Sequence, residues 1–72
     1  MTHELNISVN LGLYLRTKRK VKELSQEQLA KKAGYHTTTI GRWERGEQFP
    51  RTDELENLLE VLGAELVIRE KG

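Results

Sequence analysis

The sequence predicts a small, mainly α-helical domain of four helices that is followed by a C-terminal β-strand. Four segments repeat apolar residues at helical spacing, capping residues and glycines separate them, and the last apolar residues alternate with polar ones. The chain has 72 residues and no cysteine, so one small core must form without disulfides. We expect three parts: an N-terminal arm or strand over residues 1–9, a helical domain over residues 10–63, and a strand and tail over residues 64–72.

The N-terminal segment allows two interpretations. Three apolar residues alternate with polar ones over residues 4–9, which is typical of a strand, although chain termini often lack fixed structure. Asn10 is of a residue type that caps helices. The apolar and long side chains after it, at spacings of three and four, predict the first helix over about residues 11–22.

The second helix is predicted over about residues 26–33. Ser25 and Gln28 form a capping box, in which each side chain bonds to the backbone of the other residue. Gly34 ends the helix because glycine readily adopts the left-handed conformation that follows a helix.

The third helix is predicted from about Thr37 to about Arg45, with Ile40 and Trp43 as its inward side chains. Three consecutive threonines at its start are poor helix formers, which indicates selection for something other than helicity.

The fourth helix follows Thr52, which we expect to be its N-cap. Its apolar stripe consists of Leu55, Leu58, Leu59 and Leu62. Gly63 ends this helix, and the alternation over residues 64–69 predicts a terminal strand.

The second and third helices and the turn between them have the features of a helix-turn-helix unit. Ala30 is small where the two helices would cross, and Gly34 allows the sharp turn. Tyr35, Ile40 and Trp43 are placed to fix the third helix on the core. The alternative is an ordinary small helical bundle with a coincidental turn.

The segment from Leu24 to Gly46 closely resembles the phage repressor/Cro-type helix-turn-helix family, also called the xenobiotic-response-element type. The resemblance covers about residues 11–63 and implies a helical domain that places its third helix in the DNA major groove. In this family an arginine of the first helix pairs with a glutamate near the end of the third. The matching residues are Arg19 and Glu44, which we interpret as a structural ion pair.

The sequence departs from the family pattern in two ways. Glu23 and Lys18 stand where the family often has glycine and leucine. The fifth helix of the family is missing, and the chain ends in the strand predicted over residues 64–69. That ending is similar to short regulators that dimerise through C-terminal strands, including some antitoxins.

The resemblance implies that the start of the third helix faces the bases of double-stranded DNA. Thr37 and Thr38 can bond to base edges, and Gly41 permits close approach. Arg42 can bond the O6 and N7 atoms of a guanine. The alternatives are simple solvent exposure for the threonines and a phosphate contact for Arg42.

Four further residues are candidates for contacts with DNA phosphates: Gln26, His36, Arg45 and Arg51. Gln26 lies at the start of the second helix, where the helix dipole favours an anion. His36 is an unusual helix cap and is otherwise simply exposed.

The charge is distributed unevenly along the chain. Residues 16–51 carry ten basic and four acidic side chains, a net +6, whereas residues 52–72 carry a net −4. A basic middle segment favours a polyanionic partner on one face of the domain.

The composition disfavours an enzyme and a membrane protein. His3 and His36 are the only histidines, there is no cysteine, and no glycine-rich phosphate loop is present. We expect no metal, no cofactor and no catalytic residue. We find no apolar run of about 18 residues and no signal peptide, so we expect a cytoplasmic protein.

The terminal strand has no partner within the helical domain, so we expect it to pair with a second chain. Leu66, Val67 and Ile68 would lie in this intermolecular sheet, which the N-terminal strand would extend. The expected function is a transcriptional regulator, most often a repressor in this family, that binds an inverted-repeat operator as a homodimer. The alternative is an antitoxin or bridging module whose main partner is a toxin or another protein.

Overall fold

A computed structural model describes residues 7–67 and 69–71 of the chain, with side chains from residue 10 onward. The four helices are α1 (Ile7–Val21), α2 (Gln26–Ala33), α3 (Thr37–Glu44) and α4 (Thr52–Val61). The predicted fold class is therefore confirmed for its four helices. Within the described part of the chain, no helix is both long and apolar enough to cross a membrane.

The start of α1 differs from the prediction. A strand over residues 4–9 is wrong for its second half, because α1 begins at Ile7; its first half lies outside the described residues. Asn10 therefore lies inside α1 and does not cap it. Ile7, Leu11 and Leu15 are four residues apart, so helical spacing competes with the strand-like alternation, and extending an existing helix is easier than starting a new element.

The boundaries of α2 are confirmed. The backbone N–H of Gln28 donates to Ser25 Oγ at 3.0 Å, and the backbone N–H of Ser25 donates to Gln28 Oε1 at 2.8 Å. Gly34 has a left-handed backbone (φ +85°), and its N–H bonds to the carbonyl oxygen of Ala30 at 2.8 Å. This turn leads directly into α3, for which His36 is the N-cap residue without a side-chain hydrogen bond.

The core lies between the four helices, where α3 packs on α1 and α2 and α4 packs on α2. It consists of Leu15, Leu29, Ala30, Ala33, Ile40, Trp43, Leu55, Leu58, Leu59 and Leu62. The rings of Tyr35 and Trp43 meet edge to face, with centroids 5.2 Å apart. Asn57 of α4 donates to the carbonyl oxygen of Ala33 and to Tyr35 Oη, which ties α4 to the turn between α2 and α3.

The start of α4 lies one residue from the predicted position. Thr52 is the first helical residue and Arg51 is the N-cap, so the prediction that Thr52 caps the helix is wrong. Glu54 explains this difference, because its carboxylate accepts the backbone N–H of Arg51 at 2.8 Å.

The residues after α4 do not form the predicted strand in this single chain. Residues 64–67 and 69–71 have no regular secondary structure, and Ile68 lies outside the described residues. Leu66 and Val67 are exposed. A sheet between two chains requires the second chain, so the intermolecular sheet stays a prediction.

Candidate nucleic-acid interface

Helix α3 is held with one face in the core and the other in solvent. Ile40 and Trp43 are buried against α1 and α2, whereas Thr37, Thr38 and Arg42 are exposed. Because residues four apart share a face of a helix, Thr38 and Arg42 lie along the same exposed stripe. The structure therefore keeps three of the four predicted base-reading residues accessible.

The fourth predicted base-reading residue, Gly41, is buried. A Cβ atom at Gly41 would lie 3.0 Å from Arg45 Nη1 and 3.6 Å from Gln26 Oε1. The role of Gly41 in permitting close approach of DNA therefore stays a prediction. The helical position is as expected, but two long side chains that the helical pattern does not locate cover it. Gly41 makes room for Arg45 and Gln26.

The predicted ion pair between α1 and α3 is present and buried. Arg19 and Glu44 are 8% and 7% exposed. Arg19 Nε donates to Glu44 Oε2 at 2.6 Å, and Arg19 Nη2 donates to Glu44 Oε1 at 3.0 Å. Arg19 Nη1 also donates to the carbonyl oxygen of Leu24 at 2.8 Å. The pair therefore fixes the end of α3 relative to α1 and to the turn before α2.

Gln26 is attached to the same ion pair. Its Nε2 donates to Glu44 Oε1 at 3.0 Å, and its side chain is half-buried. A primary amide has two N–H donors, so one remains for a further acceptor. The first residue of α2 is thus linked directly to the last residue of α3, at the end where Arg45 also lies.

The α1 side of this arrangement includes a close approach that the sequence pattern does not predict. A Cβ atom at Gly12 would lie 2.7 Å from the carbonyl oxygen of Trp43 and would also collide with the carbonyl oxygen of Glu44. Only a glycine allows α1 to lie this close to the end of α3. The signal in the sequence is a glycine within a helical segment, where glycine is unfavourable.

The other predicted phosphate-binding residues are exposed. His36 is at the start of α3, and Arg51 is at the start of α4. Arg51 Nε lies 3.8 Å from Asp53 Oδ1 and 3.9 Å from Glu54 Oε1. Arg51 also lines an open cleft of about 520 Å³ between α3, α4 and the connecting loop. The remaining lining residues are Thr39, Trp43, Gln48, Phe49 and Glu54.

Arg45 has an acidic neighbour that the prediction did not include. Arg45 Nε donates to Glu47 Oε2 at 2.7 Å, and Arg45 Nη2 donates to Glu47 Oε1 at 3.3 Å. This hydrogen bond raises the pKa of Arg45. The hydrogen bond from Arg45 also lowers the pKa of Glu47, with a smaller contribution from the positive charge of Arg42. Both side chains are therefore ionised at neutral pH.

The buried polar side chains in the described part of the chain are paired within the fold. No buried side-chain nitrogen or oxygen atom there lacks a hydrogen-bond partner. Within the same residues, no group of three or more histidine, aspartate and glutamate side chains is arranged to hold a metal ion.

Comparison with known proteins identifies the family. Residues 10–71 match the profile of the helix-turn-helix domain family. The chain belongs to that family. No curated protein sequence gives a significant match.

Solved structures of regulators resemble this helix-turn-helix chain. The restriction-modification controller protein C.AhdI from Aeromonas hydrophila is 33% identical, with a TM-score of 0.80; the match covers 85% of this chain and 92% of that one. The biofilm master regulator SinR, solved in complex with DNA, is 32% identical, with a TM-score of 0.73 and coverage of 76% and 89%.

The clp gene regulator ClgR from Corynebacterium glutamicum is 25% identical to this chain, with a TM-score of 0.79. That match covers 90% of this chain and 82% of the regulator. Together, the family match and these regulators support DNA-binding transcriptional regulation as the function of the chain.

Proposed function

We propose that this helix-turn-helix protein is a sequence-specific repressor that binds an inverted-repeat operator in double-stranded DNA as a homodimer. The observation that carries the proposal is the exposed stripe of α3, where Thr38 and Arg42 lie in line and Thr37 adjoins them. A helix of this size fits the major groove, and in helix-turn-helix proteins the N-terminal residues of the second helix reach the base edges.

In this proposal the base contacts come from the two exposed threonines and Arg42. Threonine hydroxyls bond to base edges, their methyl groups contact thymine methyls, and an arginine bonds a guanine through two hydrogen bonds. The phosphate contacts come from Gln26, His36, Arg45 and Arg51, which flank α3 on the exposed surface or at its margin. The free amide N–H of Gln26 and the α2 N-terminus would serve the same phosphate.

The structure supports a rigid presentation of α3. The buried pair of Arg19 and Glu44 holds the C-terminal end of α3, and Gln26 joins the start of α2 to it. A fixed angle between α2 and α3 lets phosphate contacts on one helix set the register of base contacts on the other.

The homodimer part of the proposal rests on the C-terminal segment. Leu66 and Val67 are exposed apolar side chains in a segment without regular structure in the single chain. A single domain of this size covers about half of a typical operator, so two copies give the affinity of specific binding. We expect the protein to sediment as a dimer, and a chain truncated after Gly63 to be a monomer. A full-length monomer at high micromolar concentration would refute this part.

A second candidate function is binding of a partner protein, such as the toxin of an antitoxin. It is favoured by an acidic cleft of about 380 Å³ beside the C-terminal segment. The cleft is lined by Glu56, Glu60, Ala64, Glu65 and Leu66. We also propose that the chain has no catalytic role, since its buried carboxylate, Glu44, is fully engaged by Arg19 and Gln26.

Binding to duplex DNA at several salt concentrations separates the two candidates. A DNA-binding regulator loses affinity steeply as salt rises, because each phosphate contact releases a counterion. A fluorescently labelled duplex of about 20 base pairs, two helical turns, is long enough for two half-sites. Absence of salt-dependent binding to any duplex would reject the DNA-binding proposal and leave the partner-protein function.

A further inference from the structure

Glu47 is an acidic residue on the side of the domain that is proposed to face DNA, where a negative charge opposes binding. The backbone fixes this position: Gly46 is left-handed (φ +76°), and the N–H of Glu47 donates to the carbonyl oxygen of Arg42 at 2.9 Å. The N–H of Gly46 donates to the carbonyl oxygen of Trp43. These two bonds form the Schellman turn that ends many helices. The carboxylate of Glu47 is therefore directed to this end of α3 by the helix terminus itself.

The contact between Glu47 and Arg45 uses the same donors that a phosphate would use. The carboxylate accepts from both Nε and Nη2 of the guanidinium, which is the paired geometry with which arginine binds phosphate. The side chains are 57% and 54% exposed. An ion pair this exposed is weak, so an incoming polyanion can replace the carboxylate.

From this geometry we infer that Glu47 is an intramolecular counterion that occupies the phosphate-binding donors of Arg45 and limits the affinity of the protein for the DNA backbone. The inference rests on the proposed function and adds to it a residue that sets affinity without contacting DNA. In the free protein the carboxylate neutralises Arg45, and in the complex a phosphate takes its place.

The exchange of Glu47 for a phosphate affects both the affinity for DNA and its salt dependence. Each arginine that binds a phosphate normally releases one condensed counterion from DNA. Each such contact therefore steepens the slope of the log binding constant against log salt concentration by about 0.9. Arg45 exchanges Glu47 for a phosphate, so its contact contributes less to that slope. Replacing Glu47 by glutamine should therefore tighten binding about two- to fivefold at moderate salt and make the salt dependence steeper.

The test compares the full-length protein with Glu47→Gln on labelled duplexes of about 20 base pairs of mixed sequence. Glu23→Gln is the matched control, since it makes the same charge change at an exposed site in the turn between α1 and α2, and Glu23 has no proposed binding role. Tighter binding and a steeper salt dependence for Glu47→Gln, with little change for Glu23→Gln, support the inference. Equal or weaker binding by Glu47→Gln overturns it, because Glu47 would then be neutral or would position Arg45 for the phosphate.

A second comparison shows whether the effect passes through Arg45. In an Arg45→Gln background, Glu47→Gln should give no further gain, since there is no guanidinium to release. A gain of the same size in that background overturns the counterion role and leaves simple repulsion between the carboxylate and DNA. If the unaltered protein binds no duplex at all, the proposed function fails, and this outcome is distinct from unchanged binding by Glu47→Gln.

Discussion

Replacing Glu44 with alanine removes the centre of the hydrogen-bond network that joins three helices. Glu44 accepts two hydrogen bonds from Arg19 and one from Gln26, and all three are lost in the variant. Arg19 keeps only its bond to the carbonyl oxygen of Leu24. The result is a nearly buried guanidinium without an anionic partner.

The cost of this substitution follows from burial. Both side chains are less than one-tenth exposed, and breaking a buried pair by removing one partner costs about 3–5 kcal/mol. For a domain of this size, each kcal/mol lowers the melting temperature by about 4–8 °C. We therefore expect Glu44→Ala to melt at least about 12 °C below the parent. Replacing Arg19 with methionine and Glu44 with leucine together should recover much of the loss, because no charge is then buried.

The assay is thermal or urea unfolding followed by the fluorescence of Trp43, the single, buried tryptophan. Glu47→Ala is the control, because it removes a carboxylate from a similarly paired but exposed arginine and should leave the melting temperature nearly unchanged. A melting temperature of Glu44→Ala within about a degree of the parent would refute the assigned role of the buried pair.

Three further substitutions test the backbone conformation at Glu23, the close approach at Gly12 and the role of Arg42 in binding DNA. Glu23 has a left-handed backbone (φ +59°), so Glu23→Gly should raise the free energy of unfolding by about 0.5–1 kcal/mol, whereas Glu23→Ala keeps the unfavourable conformation. Gly12→Ala forces a Cβ against the carbonyl oxygen of Trp43 and should lower the free energy of unfolding by about 1–3 kcal/mol. An unchanged free energy of unfolding would disprove the close approach of α1 to α3. Arg42→Ala should weaken binding to the preferred DNA site by about 1–3 kcal/mol and relax selectivity at one base pair. Equal weakening on all sequences would instead indicate a phosphate contact. An equal loss in Lys32→Ala, which removes an exposed lysine of α2, would indicate a general effect of positive charge.

The sequence was most informative where one local rule determines the structure. The capping box of Ser25 and Gln28 needs only neighbouring residues, and its geometry is as predicted. The left-handed Gly34 likewise follows from its place after an apolar stripe. At the N-terminus two local rules conflict, since the same apolar residues satisfy both a strand and a helix, and the predicted start of α1 is wrong.

Contacts between distant residues were harder to predict. The pairing of Arg19 with Glu44 was implied by family resemblance and not by their separation in the sequence. The packing of Gly12 on the end of α3 depends on how two helices lie in space, which no local pattern specifies. Coverage of Gly41 depends in turn on the side-chain conformations of its neighbours. These features follow from how the helices lie in three dimensions, which the sequence pattern alone does not give.

Sequence-specific binding by a homodimer is tested by selecting bound duplexes from a random DNA pool with the full-length protein. A homodimeric regulator should enrich an inverted repeat whose half-sites lie about 10 base pairs apart, centre to centre, or a multiple of that spacing. Such a site would indicate two α3 helices in successive major grooves on one side of the duplex. No enrichment over the starting pool would contradict sequence-specific binding, and an enriched site without two-fold symmetry would contradict the homodimer.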